Sequence, residues 1–331
     1  MRYRSYLSRL LGVLAVGLAV TLAVNVAVDP FGDVPYLTGG PPHALHSVAD
    51  YGQRKLVATH LRRAEEGIAP IDLAIFGNSR ATAIDPRTPA LARLGRRRLN
   101  LSFSAARLAE MVPFIARLKR ASPQARVLVA TDLEHCLPAG PPDLAYIDPA
   151  RRWAWVRDSL ARLIAPRTLL ASVRTLLDPA PALTVRPDGF EFDAYDYADT
   201  AETDRRIRAM RTINRPLAGL PFDDGCLSQI AAIREAAPEA ILFVNPVSVW
   251  HREIEDALGL APARRRWRRA LAAHGPVIDF SCARAITTVE TNYRDSHHYR
   301  PEVGAMIAAD LARFVAGEPL AWGCVLGAAA R

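Results

Sequence analysis

Two short segments, far apart in the sequence, carry side chains whose types and spacing could act together on a substrate. The first is a Gly-Asn-Ser-Arg block at 77–80, and the second is an Asp-Ser-His-His block at 295–298. A serine hydroxyl becomes a strong nucleophile when a base removes its proton and a third group orients that base. Asp295 lies three residues before His298, so its carboxylate can bind one imidazole nitrogen while the other faces Ser79. The pattern predicts Ser79 as nucleophile, His298 as base and Asp295 as the orienting carboxylate.

Each feature also has a plainer structural explanation. A serine at a strand-to-helix turn can cap a helix, and His297 and His298 can be polar loop residues that compete for the role of base. Placement favours chemistry, because the serine and the Asp-x-x-His pattern occupy the first and last strand-end loops of one predicted sheet, where ligands bind. A helix beginning just after Ser79 would also direct backbone N–H groups at developing negative charge.

Alternating strands and helices position these two segments. Apolar runs predict strands at about 72–76, 98–102, 126–133, 240–247 and 276–280, and helical spacing predicts helices over 48–66, 105–121, 252–273 and 301–314. This alternation predicts an α/β domain with a parallel sheet covered on both faces. A long interval at about 134–225 interrupts it, and we interpret that interval as a cap insertion. Its stretch from Asp188 to Tyr197 could bind sugars or calcium, but a loop that packs its own aromatic rings is favoured.

The N-terminal region contains a segment suited to a membrane. Leu10–Val28 has 19 residues and no charge, and it spans about 28 Å as a helix, close to the hydrocarbon thickness of a bilayer. Arg2, Arg4 and Arg9 precede it, which predicts a single-pass protein with its N-terminus in the cytoplasm and its main domain periplasmic or extracellular. A cleaved signal peptide is the alternative, but the residues at 23, 25 and 27 make a poor cleavage site.

These features divide the chain. We predict a cytoplasmic tip (1–9), a transmembrane anchor in the inner (cytoplasmic) membrane (10–28), a linker with a packing helix (29–70), the α/β domain (71–320) and a C-terminal tail (321–331).

Charge and cysteine content exclude several classes of protein. The net charge of +8 comes from 42 Lys and Arg against 34 Asp and Glu, yet the only lysines are Lys55 and Lys119. Coding bias toward GC-rich codons explains such arginine, and without a nucleic-acid motif we expect no nucleic-acid partner. The cysteines lie at 136, 226, 282 and 324; outside the cytoplasm they could form disulfides in three pairings. No C-x-x-C spacing exists, which argues against zinc and against a thioredoxin-like redox site. We expect no metal and no cofactor.

The Gly77-Asn78-Ser79-Arg80 block and the Asp295-Ser296-His297-His298-Tyr299 block resemble those of the SGNH or GDSL hydrolase superfamily, in particular its membrane-anchored, envelope-facing members. The resemblance covers about 71–314 without most of the insertion. It implies a flavodoxin-like three-layer α/β/α sandwich, with the first-block serine as nucleophile and the closing Asp-x-x-His as its partners.

Two other blocks depart from that family. In the second, Ser102 stands where the family has a glycine whose N–H joins the oxyanion hole with that of Ser79. In the third, Asp132 replaces an oxyanion-binding asparagine, and an ionised carboxylate opposes an oxyanion. Losing one such donor costs about 100- to 1,000-fold in rate. The alternative donors, which sequence does not rank, are Asn78, Thr131 and Asn245.

The resemblance and the predicted location imply an esterase or O-acyltransferase acting on acyl esters, such as acetyl esters, of envelope or exported polysaccharide. A catalytically impaired SGNH-like binding or assembly protein with envelope partner proteins is the alternative. Arg80 and Arg300 flank the two blocks. They could bind an anionic substrate or form structural ion pairs.

Overall fold

The protein is described by a computed structural model, which covers residues 2–45, 50–138, 144, 152–178 and 183–326. Its strands are β1 (Leu73–Phe76), β2 (Arg98–Asn100), β3 (Arg126–Thr131), β4 (Leu183–Val185), β5 (Glu191–Asp193), β6 (Ile241–Val244), β7 (Val277–Asp279) and β8 (Cys324–Leu326). Its helices are α1 (Arg2–Val28), α2 (Asp33–Thr38), α3 (Asp50–Glu65), α4 (Leu108–Ala121), α5 (Arg152–Leu163), α6 (Pro166–Leu177), α7 (Thr200–Ile213), α8 (Gly225–Ala236), α9 (Val249–Ala257), α10 (Ala261–Ala273), α11 (Arg284–Thr287) and α12 (Pro301–Val315).

The central sheet has the strand order β2-β1-β3-β6-β7-β8. Its first five strands are parallel, and β8 pairs antiparallel with β7 at the edge. The predicted α/β fold with a mostly parallel sheet is therefore confirmed. The edge strand β8 lies in what we predicted to be a tail, because three residues carry too short a pattern to distinguish a strand from a loop.

Apolar side chains pack on both faces of the sheet. Along β1, Ala74 and Phe76 belong to one buried cluster, which also includes side chains of α4, α8 and α10. Leu73 and Ile75 alternate with them and belong to a second cluster with α12. Successive strand residues point to opposite faces, so a strand buried on both sides is apolar at every position, as this one is. This double burial fixes the carboxyl ends of the strands, where Ser79 lies.

The single helix predicted over 252–273 is two helices in the structure. The segment 252–273 contains parts of α9 and α10, which are separated by a short turn. Pro262 lies in the first turn of α10; it has no backbone N–H to donate to a preceding turn, so a new helix begins there. The helix predicted from residue 105 begins at Leu108 instead, since Ala105 has a left-handed φ of 53°. Of the helix predicted over 48–66, residues 48 and 49 lie outside the described residues.

The insertion divides into two parts. Helices α5 and α6 pack against α1, and α5 also packs against α2. The hairpin of β4 and β5 contacts the turn that follows Ser79, and α7 packs against α9. The Cys136–Cys226 disulfide joins the start of the insertion to its end, and Cys282–Cys324 ties β8 to the turn after β7. These are one of the three pairings that the sequence left open.

Helix α1 has the length and composition needed to cross a membrane. Tyr3–Val28 is a continuous helix of 26 residues with a mean hydropathy of 2.4 in its most apolar window. Most of its side chains are exposed in the isolated chain.

Candidate active site

Ser79 lies three residues after Phe76, the last residue of β1, in a tight turn. A Cβ atom on Gly77 would lie 2.6 Å from the Cβ of Ala81 and 2.8 Å from that of Ala130, so only glycine allows this approach. The Thr82 hydroxyl donates a hydrogen bond to the Ser79 carbonyl at 2.6 Å. The turn continues as a single turn of 3-10 helix at Ala81–Ala83. The helix predicted after Ser79 is thus absent, and the helix-dipole contribution expected from it is lost, because three residues add up to only a small dipole.

His298 and Asp295 lie in the loop before α12. The backbone N–H groups of His297 and His298 both donate to Asp295 Oδ1 at 2.8 Å, which fixes the loop around the carboxylate. Asp295 Oδ2 lies 2.7 Å from His298 Nδ1, and His298 Nε2 lies 2.9 Å from the Ser79 hydroxyl oxygen. The structure therefore brings Ser79, His298 and Asp295 into one continuous hydrogen-bonded chain.

The charges and protonation states of Asp295 and His297 favour proton transfer from the Ser79 hydroxyl to His298. Burial raises the pKa of Asp295, but His298 and His297 outweigh burial and hold it well below the usual 3.8, so the carboxylate is ionised. An ionised carboxylate on Nδ1 keeps that nitrogen protonated and leaves Nε2 as the acceptor. Burial lowers the pKa of His297 well below 6.5, so this ring is neutral. Its Nδ1 contacts the Ser296 hydroxyl at 3.2 Å, and of the two histidines it is His298 that meets the serine.

Asp295, His297 and His298 also offer potential metal-ligand atoms within 4.8 Å of one another. Both carboxylate oxygens of Asp295 and both ring nitrogens of His298 are already hydrogen-bonded. We therefore assign this cluster to the proton path.

Ser102 differs from its sequence-based role. Its backbone N–H, predicted to face an oxyanion, donates instead to Asn100 Oδ1 at 3.0 Å. The Ser102 hydroxyl is buried without a hydrogen-bond partner among the described residues. This hydroxyl would lie 3.3 Å from a Cβ on Gly77, so it is close to the turn that carries Ser79. The available donor of Ser102 is therefore its side chain, while the Ser79 N–H has no partner in the described part of the chain.

Thr131 is an unsuitable oxyanion donor. It is fully buried on β3, and its hydroxyl donates to the Phe243 carbonyl of the neighbouring strand at 3.3 Å. The one hydroxyl proton of Thr131 is therefore used inside the sheet.

Asp132 is the acceptor of a buried polar network. The side-chain amides of Asn78 and Asn245 donate to its Oδ2 at 2.8 and 3.0 Å. Arg80 contacts its Oδ1 at 2.8 Å. Burial raises the pKa of Asp132, but Arg80, His135 and these bonds outweigh burial and hold it below 3.8. The carboxylate is thus ionised, and Arg80 compensates the charge that the sequence led us to expect against an oxyanion.

Of the two arginines proposed for substrate binding, Arg80 is a structural ion-pair residue. It is 3% exposed and pairs with both Asp132 and Glu134, the latter at 2.6 Å. Arg300 is half-buried, with its Nε 3.7 Å from Glu302. Glu134 was not singled out in the sequence, although its position two residues after Asp132 at a strand end was a usable signal.

The insertion contacts the loop that carries Asp295 and His298 through ion pairs that were not predicted from the sequence. Arg294, directly before Asp295, contacts Asp193 at 2.6 Å and lies 3.7 Å from Glu191, both on β5. A cavity of about 410 Å³ lies beside this contact and is lined partly by Tyr195 and Arg294. Arg206 covers the Tyr195 ring at 4.5 Å. Tyr195 therefore packs within the insertion, whereas Phe192 of the same stretch is 52% exposed.

Comparison with known proteins adds no assignment, since no protein-family model and no curated protein matches the chain. The chemistry of the site therefore rests on the geometry of its own residues.

Proposed function

We propose that the protein is a serine esterase or O-acyltransferase in which Ser79 is the nucleophile, His298 the general base and acid, and Asp295 the orienting carboxylate. The observation that carries this proposal is the chain of contacts from the serine hydroxyl through the imidazole to the carboxylate, at 2.9 and 2.7 Å. The two blocks that hold these residues resemble those of SGNH hydrolases. The parallel sheet, packed on both faces, is compatible with the flavodoxin-like sandwich of that family.

In the proposed reaction, the Ser79 hydroxyl oxygen attacks the carbonyl carbon of an acyl ester while His298 Nε2 takes its proton. Asp295 stabilises the imidazolium that results. Collapse of the tetrahedral intermediate breaks the ester bond, and His298 returns the proton to the departing alcohol. Water or a sugar hydroxyl then gives its proton to His298 and attacks the carbonyl carbon of the acyl-serine. Collapse of this second intermediate breaks the bond to the Ser79 oxygen, to which His298 returns the proton, and a carboxylic acid or a new ester is released.

Two donors are proposed for the negative oxygen of the intermediate, namely the Ser79 N–H and the Ser102 hydroxyl. Both lie near the nucleophile turn and both lack a partner among the described residues. Arg80 supports them indirectly, because it neutralises Asp132 at 2.8 Å and reduces the repulsion that a lone carboxylate would exert.

We assign the substrate to acyl esters, such as acetyl esters, of envelope or exported polysaccharide. The support is the apolar helix α1, which would hold the domain at the outer side of the cytoplasmic membrane, where such polymers pass. The disulfides agree with an oxidising compartment.

A catalytically impaired binding or assembly protein is the second candidate. One observation favours it: the side-chain amides of Asn78 and Asn245, which could have replaced the missing asparagine donor, are directed at Asp132. This candidate predicts an intact ligand site without turnover.

Covalent labelling separates the two candidates. The full chain in detergent is treated with a fluorophosphonate probe, together with Ser79→Ala, His298→Ala and a matched control, Ser104→Ala, in a neighbouring loop. We expect labelling of the wild type and of the control, and loss of labelling in the other two variants. Labelling that is absent, or that persists in Ser79→Ala, would exclude the enzyme. Release of acetate from an acetylated polysaccharide would identify an esterase, and transfer to an acceptor polymer an acyltransferase.

A further inference from the structure

Helix α6 has its polarity inverted for a protein in water. Thr168 and Ser172 are buried at 2% and 0% exposure, while Leu176 and Leu177 are 66% and 78% exposed. Leu170 is also exposed, at 52%. Soluble proteins bury leucine and expose hydroxyls. Helices in lipid do the opposite, since small and hydroxyl side chains allow close helix contacts and leucine faces the hydrocarbon.

Helix α5 exposes two large apolar side chains, Trp153 and Leu160, next to this face. They are seven residues apart, which puts them on one side of the helix with the exposed Arg157 between them, and Ile164 follows in the turn after α5. The three apolar side chains, Trp153, Leu160 and Ile164, are all exposed, Trp153 at 71%. Tryptophan is the side chain most typical of the boundary between hydrocarbon and headgroups.

A contact with α1 sets the depth of this pair of helices. Asn25 is fully buried, and its amide donates to the carbonyls of Leu163 and Ala165 at 3.0 and 3.3 Å. Its oxygen accepts a hydrogen bond from the Ser172 hydroxyl at 3.0 Å. Asn25 lies three residues before the end of α1 at Val28, about 4.5 Å along the axis. The turn between α5 and α6 is therefore level with the C-terminal end of the apolar helix.

We propose that α5 and α6 form a hairpin that inserts its exposed apolar face into the lipid bilayer beside α1. The bilayer is the occupant because the face is continuous with the apolar surface of α1, through the Asn25 contact. Arg167 and Arg174, on the border of the α6 face, are placed to reach phosphate groups. This inference rests on the proposed membrane anchor and goes beyond it, since it makes the insertion a second point of attachment that restricts the orientation of Ser79 to the membrane.

Depth-dependent quenching tests the proposal. The full chain is reconstituted in vesicles of phosphatidylcholine and phosphatidylglycerol, with and without phosphatidylcholine brominated in its acyl chains. Leu177→Trp is compared with a matched control, Ile213→Trp, at an exposed apolar position on α7. We expect the emission added at 177 to be blue-shifted and strongly quenched by brominated lipid, and the emission added at 213 to be neither. In a second comparison, Trp153→Phe removes quenchable emission and Trp322→Phe does not.

Flotation of the vesicles keeps the two proposals apart. If the chain floats with the vesicles but bromine quenches 177 and 213 equally, or leaves 177 unquenched, α1 is an anchor and the hairpin proposal is overturned. A blue-shifted but unquenched tryptophan at 177 would assign the face to a second copy of the chain, and would also overturn it. A chain that does not float would overturn both proposals.

Discussion

Asp132→Asn is the substitution that most directly tests the reasoning about the site, because it recreates the residue type of the SGNH third block. The structure predicts damage. Oδ1 of Asp132 meets Arg80, and Oδ2 meets the amides of Asn78 and Asn245, so both oxygens face donors. An asparagine must turn its NH₂ group either toward the Arg80 guanidinium or toward the amides of Asn78 and Asn245. Either orientation places two hydrogen-bond donors against each other in the buried site.

The magnitude follows from the ion pair. Unit charges separated by the 2.8 Å between Arg80 and Asp132 attract by about 6 kcal/mol at an effective dielectric constant of about 20. Two effects offset part of this attraction in the variant: Arg80 retains its ion pair with Glu134, and the charge of Asp132 no longer has to be desolvated. We therefore expect the free energy of unfolding to fall by about half of the attraction, about 3 kcal/mol, which is at the lower end for a broken buried ion pair. This loss corresponds to a fall of about 6 °C in melting temperature for a domain of this size.

Thermal unfolding of the full chain in detergent measures this fall, with far-ultraviolet circular dichroism as a probe. Asp204→Asn is the matched control, because Asp204 forms a 3.7 Å pair with Arg208 and both side chains are more than half exposed. Exposed pairs contribute about 0–1 kcal/mol. If Asp132→Asn has the same melting temperature as Asp204→Asn, or if it hydrolyses esters faster than the wild type without loss of stability, the proposed role of Asp132 is wrong.

Three further predictions concern the site and the fold. Ser102→Ala should lower kcat by about 100-fold, as for loss of one oxyanion donor, with an unchanged melting temperature because its hydroxyl has no partner among the described residues; an unchanged kcat would contradict this. The pKa of Asp295 is lowered on folding, so its stabilisation is complete above about pH 4 and is lost as the pH falls below that value; titrations from pH 5 to 2 should show a shallower loss of unfolding free energy in Asp295→Asn than in the wild type. Gly189→Ala places a Cβ atom 1.6 Å from the Asn100 carbonyl oxygen, whereas the Cβ atom in the control Gly67→Ala, also at positive φ, meets open space. The unfolding midpoint should fall much further for Gly189→Ala, and equal falls would refute the packing described for the insertion.

The parts of the fold that depend on local pattern were predictable. The strands β1 and β6 are uninterrupted apolar runs, β3 contains such a run between Arg126 and Thr131, and the apolar segment Leu10–Val28 lies within α1. The spacing of Asp295 and His298 in one loop also indicated their contact, since three residues is the reach of a side chain folded back on its own turn.

Contacts that depend on distant segments were not predictable. The bond from the Ser102 N–H to Asn100 spans only two residues and is local. In contrast, the amides of Asn78 and Asn245 reach Asp132 because β1 and β6 flank β3 in the folded sheet. Each of these residues has several equally good partners when the sequence alone is considered. The break between α9 and α10 was different, because Pro262 was a visible signal that we did not use.

The disulfide between Cys136 and Cys226, which are 90 positions apart in the sequence, makes the insertion a covalently closed ring of chain. A protease that cuts once inside this ring leaves a single molecule, which separates into two pieces only after reduction. Cutting the covalent chain and detaching the inserted segment are therefore separate events. Activity measured after nicking, and again after reduction, would distinguish the need for a continuous insertion from the need for its attachment to the sheet.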